Sequence, residues 1–304
     1  MPLAPPSPAA LPAEARAAVL AWYDARGRAL AFRGTRDPYA ILVSEVMAQQ
    51  TQISRVVEAW SRFLDRFPTV AALAAATPAD VLRAWRGMGY DRRALNLHRA
   101  AQAIAAEHDG KVPRDLAALE RLPGIGPYTA RAVAALAFGM AVGPVDTNVR
   151  RVLGRVLGGR DGLAARELQA VSDASVDPAR PGDWTHAVMD VGATLCRPTR
   201  PRCEECPLVS WCRFAADTAA APERRPLPRA GRQVREPFQA STRWLRGRIV
   251  DRLRDADGTT WTVVEAPIGD HDDAAIEAAL GALARDGIVE LDPVASRRAR
   301  LATA

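Results

Sequence analysis

The stretch Leu122-Pro-Gly-Ile-Gly-Pro-Tyr-Thr-Ala130, "LPGIGPYTA", decides the fold. A helix ends at Leu122, a Pro-Gly-Ile-Gly turn follows, and a second helix starts near Pro127, a residue suited to a first helical position. The pattern predicts a helix–hairpin–helix. Gly124 and Gly126 permit unusual backbone angles, and the free N–H groups at the start of the second helix can hold a phosphate without reading sequence. Ala130, Val133, Ala134, Ala137 and Phe138 share one face of that helix and anchor it. Taken alone, the segment reads as an ordinary αα-hairpin with a glycine cap.

Two acidic residues flank the hairpin in sequence. "VGPVDTNVRRVLGR" puts Asp146, Thr147 and Asn148 at a helix start. By itself Asp146 reads as an N-cap. Beside a backbone-gripping hairpin, its carboxylate can also stabilise the positive charge that grows on a deoxyribose as its base departs. In "PYAILVSEVMAQQTQ", Glu45 sits in a helix among Leu42, Val43 and Val46. Its plain reading is an exposed acid on an amphipathic helix; facing an apolar pocket, it would acquire a raised pKa and serve as a general acid. Gln49, Gln50 and Gln52 suit a loop that probes base edges or fills a gap in a duplex.

Most of the chain up to about residue 214 reads as helix. In "QISRVVEAWSRFLDRF", Ile53, Val56, Val57, Trp60, Phe63, Leu64 and Phe67 keep helical spacing and predict one buried stripe. Thr77, Pro78 and Asp80 mark a helix start. A linker rich in Ala, Pro and Arg spans 215–238. After it come a helix near Thr242 to Arg254, the β-branched run "TTWTVVEA", a helix Asp273 to Arg285, and "GIVELD". That order suits a small α+β module, winged-helix-like or plain. There is no internal repeat long enough for a solenoid.

The 304 residues allow two compact domains and a small third. A net charge of +6 and a pI near 9.7 favour a polyanionic partner. Nearly all positive charge is arginine, the only lysine being Lys111. A GC-rich genome accounts for most of that bias. "MPLAPPSPAALP" lacks the features of a signal peptide, and the longest apolar run, Ala132 to Val142, is too short to span a bilayer. The expectation is a soluble, cytoplasmic protein.

All four cysteines, Cys196, Cys203, Cys206 and Cys212, fall within "CRPTRPRCEECPLVSWC". In a reducing compartment such a cluster argues for a shared metal over disulfides. Zinc and an iron–sulfur cluster are both open to four thiolates. Structural zinc usually draws two separated C-x-x-C knuckles, whereas here three ligands crowd together after a six-residue loop.

The segments "SEVMAQQTQI", "GMGYDRRALNLHRAA", "LPGIGPYTARAV", "VDTNVRRVLGR" and the cysteine loop stand in order over roughly residues 30 to 213. Together they resemble the helix–hairpin–helix base-excision glycosylases and, more narrowly, the adenine DNA glycosylases of the MutY type. The resemblance implies a mainly α, two-lobed fold with an iron–sulfur cluster loop. Residues 13–32 and 145–214 would form the cluster lobe and 33–144 a six-helix lobe. A loose tail, 1–12, would precede them, and the linker 215–238 would lead to a C-terminal module, 239–304, that is not Nudix-like.

The activity implied is hydrolysis of the N-glycosidic bond of adenine mispaired with 8-oxoguanine or guanine, in base-excision repair. Glu45 would protonate adenine N7, and Asp146 would stabilise the oxocarbenium ion or trap it covalently, with Tyr128 and Asn148 supporting them. Gln50 and Tyr90 look like residues that wedge into the stack while adenine is flipped out. Gln49, Thr51, Leu122, Gly124 and Gly126 would complete the DNA contacts, and Arg33 and Asp190 the adenine pocket, although Asp190 reads equally as a helix-surface residue. A [4Fe-4S] cluster on the four cysteines would order a DNA-binding loop carrying Arg197, Arg200 and Arg202. The implied partner is double-stranded DNA bearing the A·8-oxoG or A·G mispair, bound by a monomer acting at the nucleoid without a membrane.

Endonuclease III shares the hairpin and the cluster but carries a lysine nucleophile where this chain has Tyr128. A phenol forms no Schiff base, and Lys111 lies outside the hairpin, so no significant strand-cleaving lyase activity is expected. Ala31-Phe32-Arg33 stands where the family usually has Pro-Trp-Arg, and no Nudix-like counterpart is evident after Phe238. The rival readings are a mismatch-specific thymine glycosylase and a non-catalytic DNA-binding protein. His98, His108, His186 and His271 show no ligand spacing and read as structural or surface residues.

Overall fold

The computed structural model describes residues 10–159, 162–220, 237–256 and 260–303. Most of the expected tail (1–9) and linker (221–236) lies outside them. In chain order the helices are α1 (Ala13–Arg26), α2 (Pro38–Ala48), α3 (Ile53–Arg66), α4 (Val70–Ala74), α5 (Pro78–Ala84), α6 (Arg92–Glu107) and α7 (Leu116–Arg121). Then follow α8 (Pro127–Phe138), α9 (Thr147–Gly158), α10 (Ala165–Ala174), α11 (Pro181–Asp190), α12 (Arg213–Ala220), α13 (Thr242–Asp255) and α14 (Asp273–Arg285). The strands β1 (Thr262–Val263), β2 (Val289–Leu291) and β3 (Arg298–Leu301) all lie in the C-terminal part. The fold is mainly helical with one small sheet.

The described residues fall into two compact units. One takes those of Met1–Glu45, Pro113–Arg121 and Ile125–Leu227; the other takes those of Val46–Val112, Leu122–Gly124 and Pro228–Ala304. In the first unit α1 packs on α11, α11 on α8 and α9, and α10 and α12 on α9. Val19, Val152, Leu153, Leu168, Trp184 and Val188 lie in its core. Leu11, inside the stretch expected as tail, is buried in that core and donates its N–H to Ser175 Oγ at 3.1 Å. Helix α12 occupies the first part of the expected linker.

Helix α8 is buried on more than one face, since Ala132 and Ala135 are covered as fully as Ala130, Val133 and Ala134. Burial therefore reaches beyond the single face read from sequence, while Arg131 on the same helix pairs with Asp173. The helix stops at Gly139, whose φ of 64° closes it in the left-handed conformation.

In the second unit α4 and α5 pack on α6, and α13 packs on α5 and α14. Phe63 meets Phe67 and Trp85 edge to face at 5.1 and 5.8 Å. The α3 stripe is buried along Val56, Ala59, Phe63 and Phe67, with Ile53, Val57, Trp60 and Leu64 half-covered on its flanks. Thr77 caps α5 as expected, its Oγ accepting from Asp80 N at 3.1 Å. The C-terminal module runs α13–β1–α14–β2–β3, and its antiparallel sheet has the order β1-β3-β2 with Thr262 opposite Ala299 and Val289 opposite Leu301. Strand β3 was not apparent from sequence.

Candidate active site

Glu45 ends the first unit's share of α2 and is buried, with 8% exposure. The expectation of a surface acid is therefore set aside. Burial pushes its carboxyl up to about 7; the Tyr128 hydroxyl and Arg33 pull it back, and the Asp146 charge adds to the rise. Tyr128, in the first turn of α8, donates its hydroxyl to Glu45 Oε2 at 3.3 Å. Burial and the two neighbouring carboxylates hold the Tyr128 phenol well above its ordinary pKa, so it stays a neutral donor.

Asp146 is the N-cap of α9, as its plain sequence reading has it. Its Oδ1 accepts from Val149 N at 2.7 Å and its Oδ2 from Asn148 Nδ2 at 2.8 Å. Arg151, one turn on, donates to Asn148 Oδ1 at 2.8 Å and to the carbonyls of Gly192 and Cys196 at 2.6 Å each. Gly192 sits in the π-helical turn Val191–Leu195 after α11, and a Cβ there would stand 2.5 Å from Asn148 Cβ. Only glycine lets that turn lie against the start of α9.

A cavity of about 610 Å³, its open mouth included, adjoins Glu45 and is walled by Phe32, Arg33, Ser44, Leu136, Asp183 and His186. Arg33 grips Asp190 through two hydrogen bonds of 2.8 Å, and Arg28 adds its Nε at 2.6 Å and its backbone N–H at 2.8 Å. Asp190 is fully buried, which removes the helix-surface reading. Burial alone would raise its carboxyl, but Arg33 and Arg28 more than offset this and hold it below the ordinary value. His186 was read from sequence as structural or surface. It lines this cavity, stacks on Tyr23 at 6.5 Å, and is held neutral by burial and the Arg33 charge, its pKa near 3. A lone histidine in "WTHAVMD" carries no spacing signal that would have revealed it.

The four cysteines are free and line one cavity with Val152, Leu195 and Phe214. Burial pushes the Cys206 thiol to about 11 and raises those of Cys203 and Cys212, so a bound cationic centre is what would favour thiolates here. Arg155 donates Nη1 to Cys196 Sγ at 3.5 Å while stacking on Phe214 at 4.6 Å. Among the described residues, no three His, Cys, Asp or Glu side chains converge as ligands of one metal ion. Four thiols around one cavity are a donor set that an iron–sulfur cluster or zinc can use. Of the loop arginines, Arg202 is already forked onto Glu205 at 2.6 Å.

The remaining sequence-derived residues fall in the second unit, apart from Gly126. Gln50 and Tyr90 both adopt left-handed φ, 54° and 50°. Arg93, which sequence reading passed over, ties their loops together. Its guanidinium donates to the carbonyls of Val46, Met47 and Gln49 and to Thr51 Oγ1 on one side, and to the carbonyls of Met88 and Gly89 on the other. Leu122 is buried. Gly124 has φ of 77°, and a Cβ there would stand 2.6 Å from Asn96 Cβ, so glycine is required twice over. Gly126, the N-cap of α8, has an ordinary extended backbone, contrary to expectation.

Residues 43–174 match the family described as "HhH-GPD superfamily base excision DNA repair protein", in keeping with the helix–hairpin–helix of α7 and α8. The adenine DNA glycosylase of Mycolicibacterium smegmatis is 42% identical over 275 residues, 90% of this chain and 91% of its own. The human adenine DNA glycosylase is 42% identical over 211 residues, which are 65% of this chain but 39% of the human one. Among solved structures, a thermostable thymine-DNA glycosylase aligns with a TM-score of 0.63 and 28% identity, over 66% of this chain and 95% of its own. A non-covalent endonuclease III–DNA complex shares the fold, with a TM-score of 0.58 and 24% identity over 67% and 95%. The chain belongs to the adenine DNA glycosylases.

Proposed function

We propose that this chain hydrolyses the N-glycosidic bond of adenine mispaired with 8-oxoguanine or guanine in duplex DNA, and leaves the strand intact. The observation that carries the reading is the Glu45–Tyr128–Asp146 constellation: a buried carboxyl with its pKa near 7, a neutral phenol bonded to it, and a second carboxylate oriented by Asn148. In this reading Glu45 protonates adenine N7, and Asp146 stabilises the oxocarbenium ion or captures it covalently. Arg33 and Asp190 shape the adenine pocket with Phe32 in its wall, while Gln49, Gln50, Thr51, Tyr90, Leu122, Gly124 and Gly126 engage the duplex. The four cysteines would hold a [4Fe-4S] cluster, which supplies a structural and electron-transferring centre when bound. We retain the division into a cluster lobe, a six-helix lobe and a C-terminal module as part of this reading. The protein would act as a monomer at the nucleoid. No helix among the described residues is long and apolar enough to cross a membrane.

Single-turnover base release from duplexes with A opposite 8-oxoguanine, A opposite G, or T opposite G tests this, with and without alkali before electrophoresis. The expected result is breaks at adenine that require alkali. Breaks without alkali would refute the monofunctional mechanism. Release at thymine alone would favour the reading that the thymine-DNA glycosylase likeness supports.

A further inference from the structure

The chain reaches Asp146 through a short run after α8, and α10 clamps that run. Gly143, three residues ahead of Asp146, is buried together with Pro144. Its N–H donates to Asp173 Oδ1 at 2.8 Å, and its carbonyl accepts from Gln169 Nε2 at 2.9 Å. Two side chains one turn apart on α10 thus take both polar groups of one residue's backbone. The approach is close: a Cβ on Gly143 would stand 2.4 Å from Ser172 Oγ and 2.6 Å from the Ser172 carbonyl carbon.

Asp173 does more than hold Gly143. The same Oδ1 accepts from Arg131 Nη1 at 2.5 Å and from Gln169 Nε2 at 3.2 Å. Arg131 lies on α8 one turn after Tyr128, whose hydroxyl bonds Glu45. Its side chain is only 18% exposed, so salt screens this pair less than an open surface pair. One carboxylate oxygen therefore ties the helix that carries Tyr128 to the chain that enters Asp146. Three residues span at most about 10 Å of extended chain, and Pro144 has a fixed φ, so a shift at Gly143 passes on to Asp146. Asn148 and Val149 orient the Asp146 carboxylate on α9, while the Asp173 tie relates it to α8.

We propose that Asp173 is a positioning residue for base release: through Gly143 and Arg131 it sets the separation between the Glu45–Tyr128 pair and Asp146. The proposal rests on the glycosylase reading above, in which the two carboxyls act on one sugar–base bond. Groups that act together on one bond lose about a hundredfold in rate when one of them is misplaced by about 1 Å. Asp173 touches neither base nor sugar in this role. Its removal spares ground-state binding and weakens what depends on the placement of Asp146.

The test uses the full chain and the variants Asp173→Ala, Asp173→Asn and Gln169→Met, with circular dichroism and thermal melting to verify folding. Single-turnover adenine release opposite 8-oxoguanine is measured beside two affinities. One is for a duplex bearing a 2′-fluorinated deoxyadenosine that resists hydrolysis. The other is for a duplex bearing a cationic pyrrolidine in place of the sugar, which mimics the charge of the oxocarbenium ion. Asp173→Ala is expected to slow release about a hundredfold and weaken pyrrolidine binding about tenfold, with the fluorinated duplex bound within about twofold of wild type. Asp173→Asn keeps an acceptor at Oδ1 and should recover most of both losses. Gln169→Met removes the donor to the Gly143 carbonyl and should give the same pattern at about fivefold, the worth of one hydrogen bond. It replaces Asp173→Ala as the deciding variant where the latter does not fold. Release at the wild-type rate in the deciding variant, or equal weakening of the two duplexes, overturns this proposal alone. Asp173→Asn as slow as Asp173→Ala overturns it too, because the acceptor would then not be what matters. A wild type releasing no adenine defeats the glycosylase reading and this proposal with it.

Discussion

Glu45 places opposing demands on one side chain. A general acid for a purine must hold its proton near neutral pH, and burial provides this by disfavouring the carboxylate. Single-turnover release is therefore expected to fall as pH rises through about 7. The same shift acts on stability in a fixed direction. Between the unfolded value near 4.5 and the folded value near 7 the native state binds more protons, so stability declines as pH rises across that window. Glu45→Gln removes the penalty: base release should vanish, while the protein gains up to about 3 kcal/mol above pH 7 in denaturant titrations. A less stable variant there would count against the buried-acid assignment. Asp190 is the converse case, a buried carboxylate that two guanidiniums saturate. Asp190→Ala leaves Arg33 buried without its partner and should lose about 3–5 kcal/mol, read as a lower melting temperature.

At the scale of elements, close approach governs how the site is oriented. The turn after α11 touches the start of α9 through Gly192, and Asn148 is aimed at Asp146 from that contact. Gly192→Ala is expected to displace Asn148 and slow base release at least tenfold, with little change in far-ultraviolet circular dichroism; an unaltered rate would show that Asn148 has room to yield. The ordered motifs made the helices that carry Glu45, Tyr128 and Asp146 legible in sequence, since each of these residues stands at a helix terminus or in an apolar run. Less legible were features whose signal is tertiary. Strand β3 alternates Arg298 and Arg300 with buried Ala299 and Leu301, a period of two that arginine content disguises. Arg93 and His186 gain their roles only from what the chain brings to them. Gly126 misled because a glycine beside a turn invites a left-handed reading that the backbone does not adopt.

For the whole molecule, the cysteine cavity is a point where composition and folding meet. If the thiols hold a cluster, protein purified without chelators should contain about four iron and four sulfide per chain. Cys206→Ala should reduce both towards background and lower the melting temperature, because metal binding contributes to folding free energy. Full iron loading in that variant would remove Cys206 from the ligand set.

The Arg93 guanidinium, which binds Gln49 and Thr51 on one hand and Met88 and Gly89 on the other, has a consequence for descent. Two loops some forty codons apart in the gene share a single fastening. Selection on either loop acts through the same side chain, so the Gln50 and Tyr90 stretches are expected to be inherited and lost as a pair.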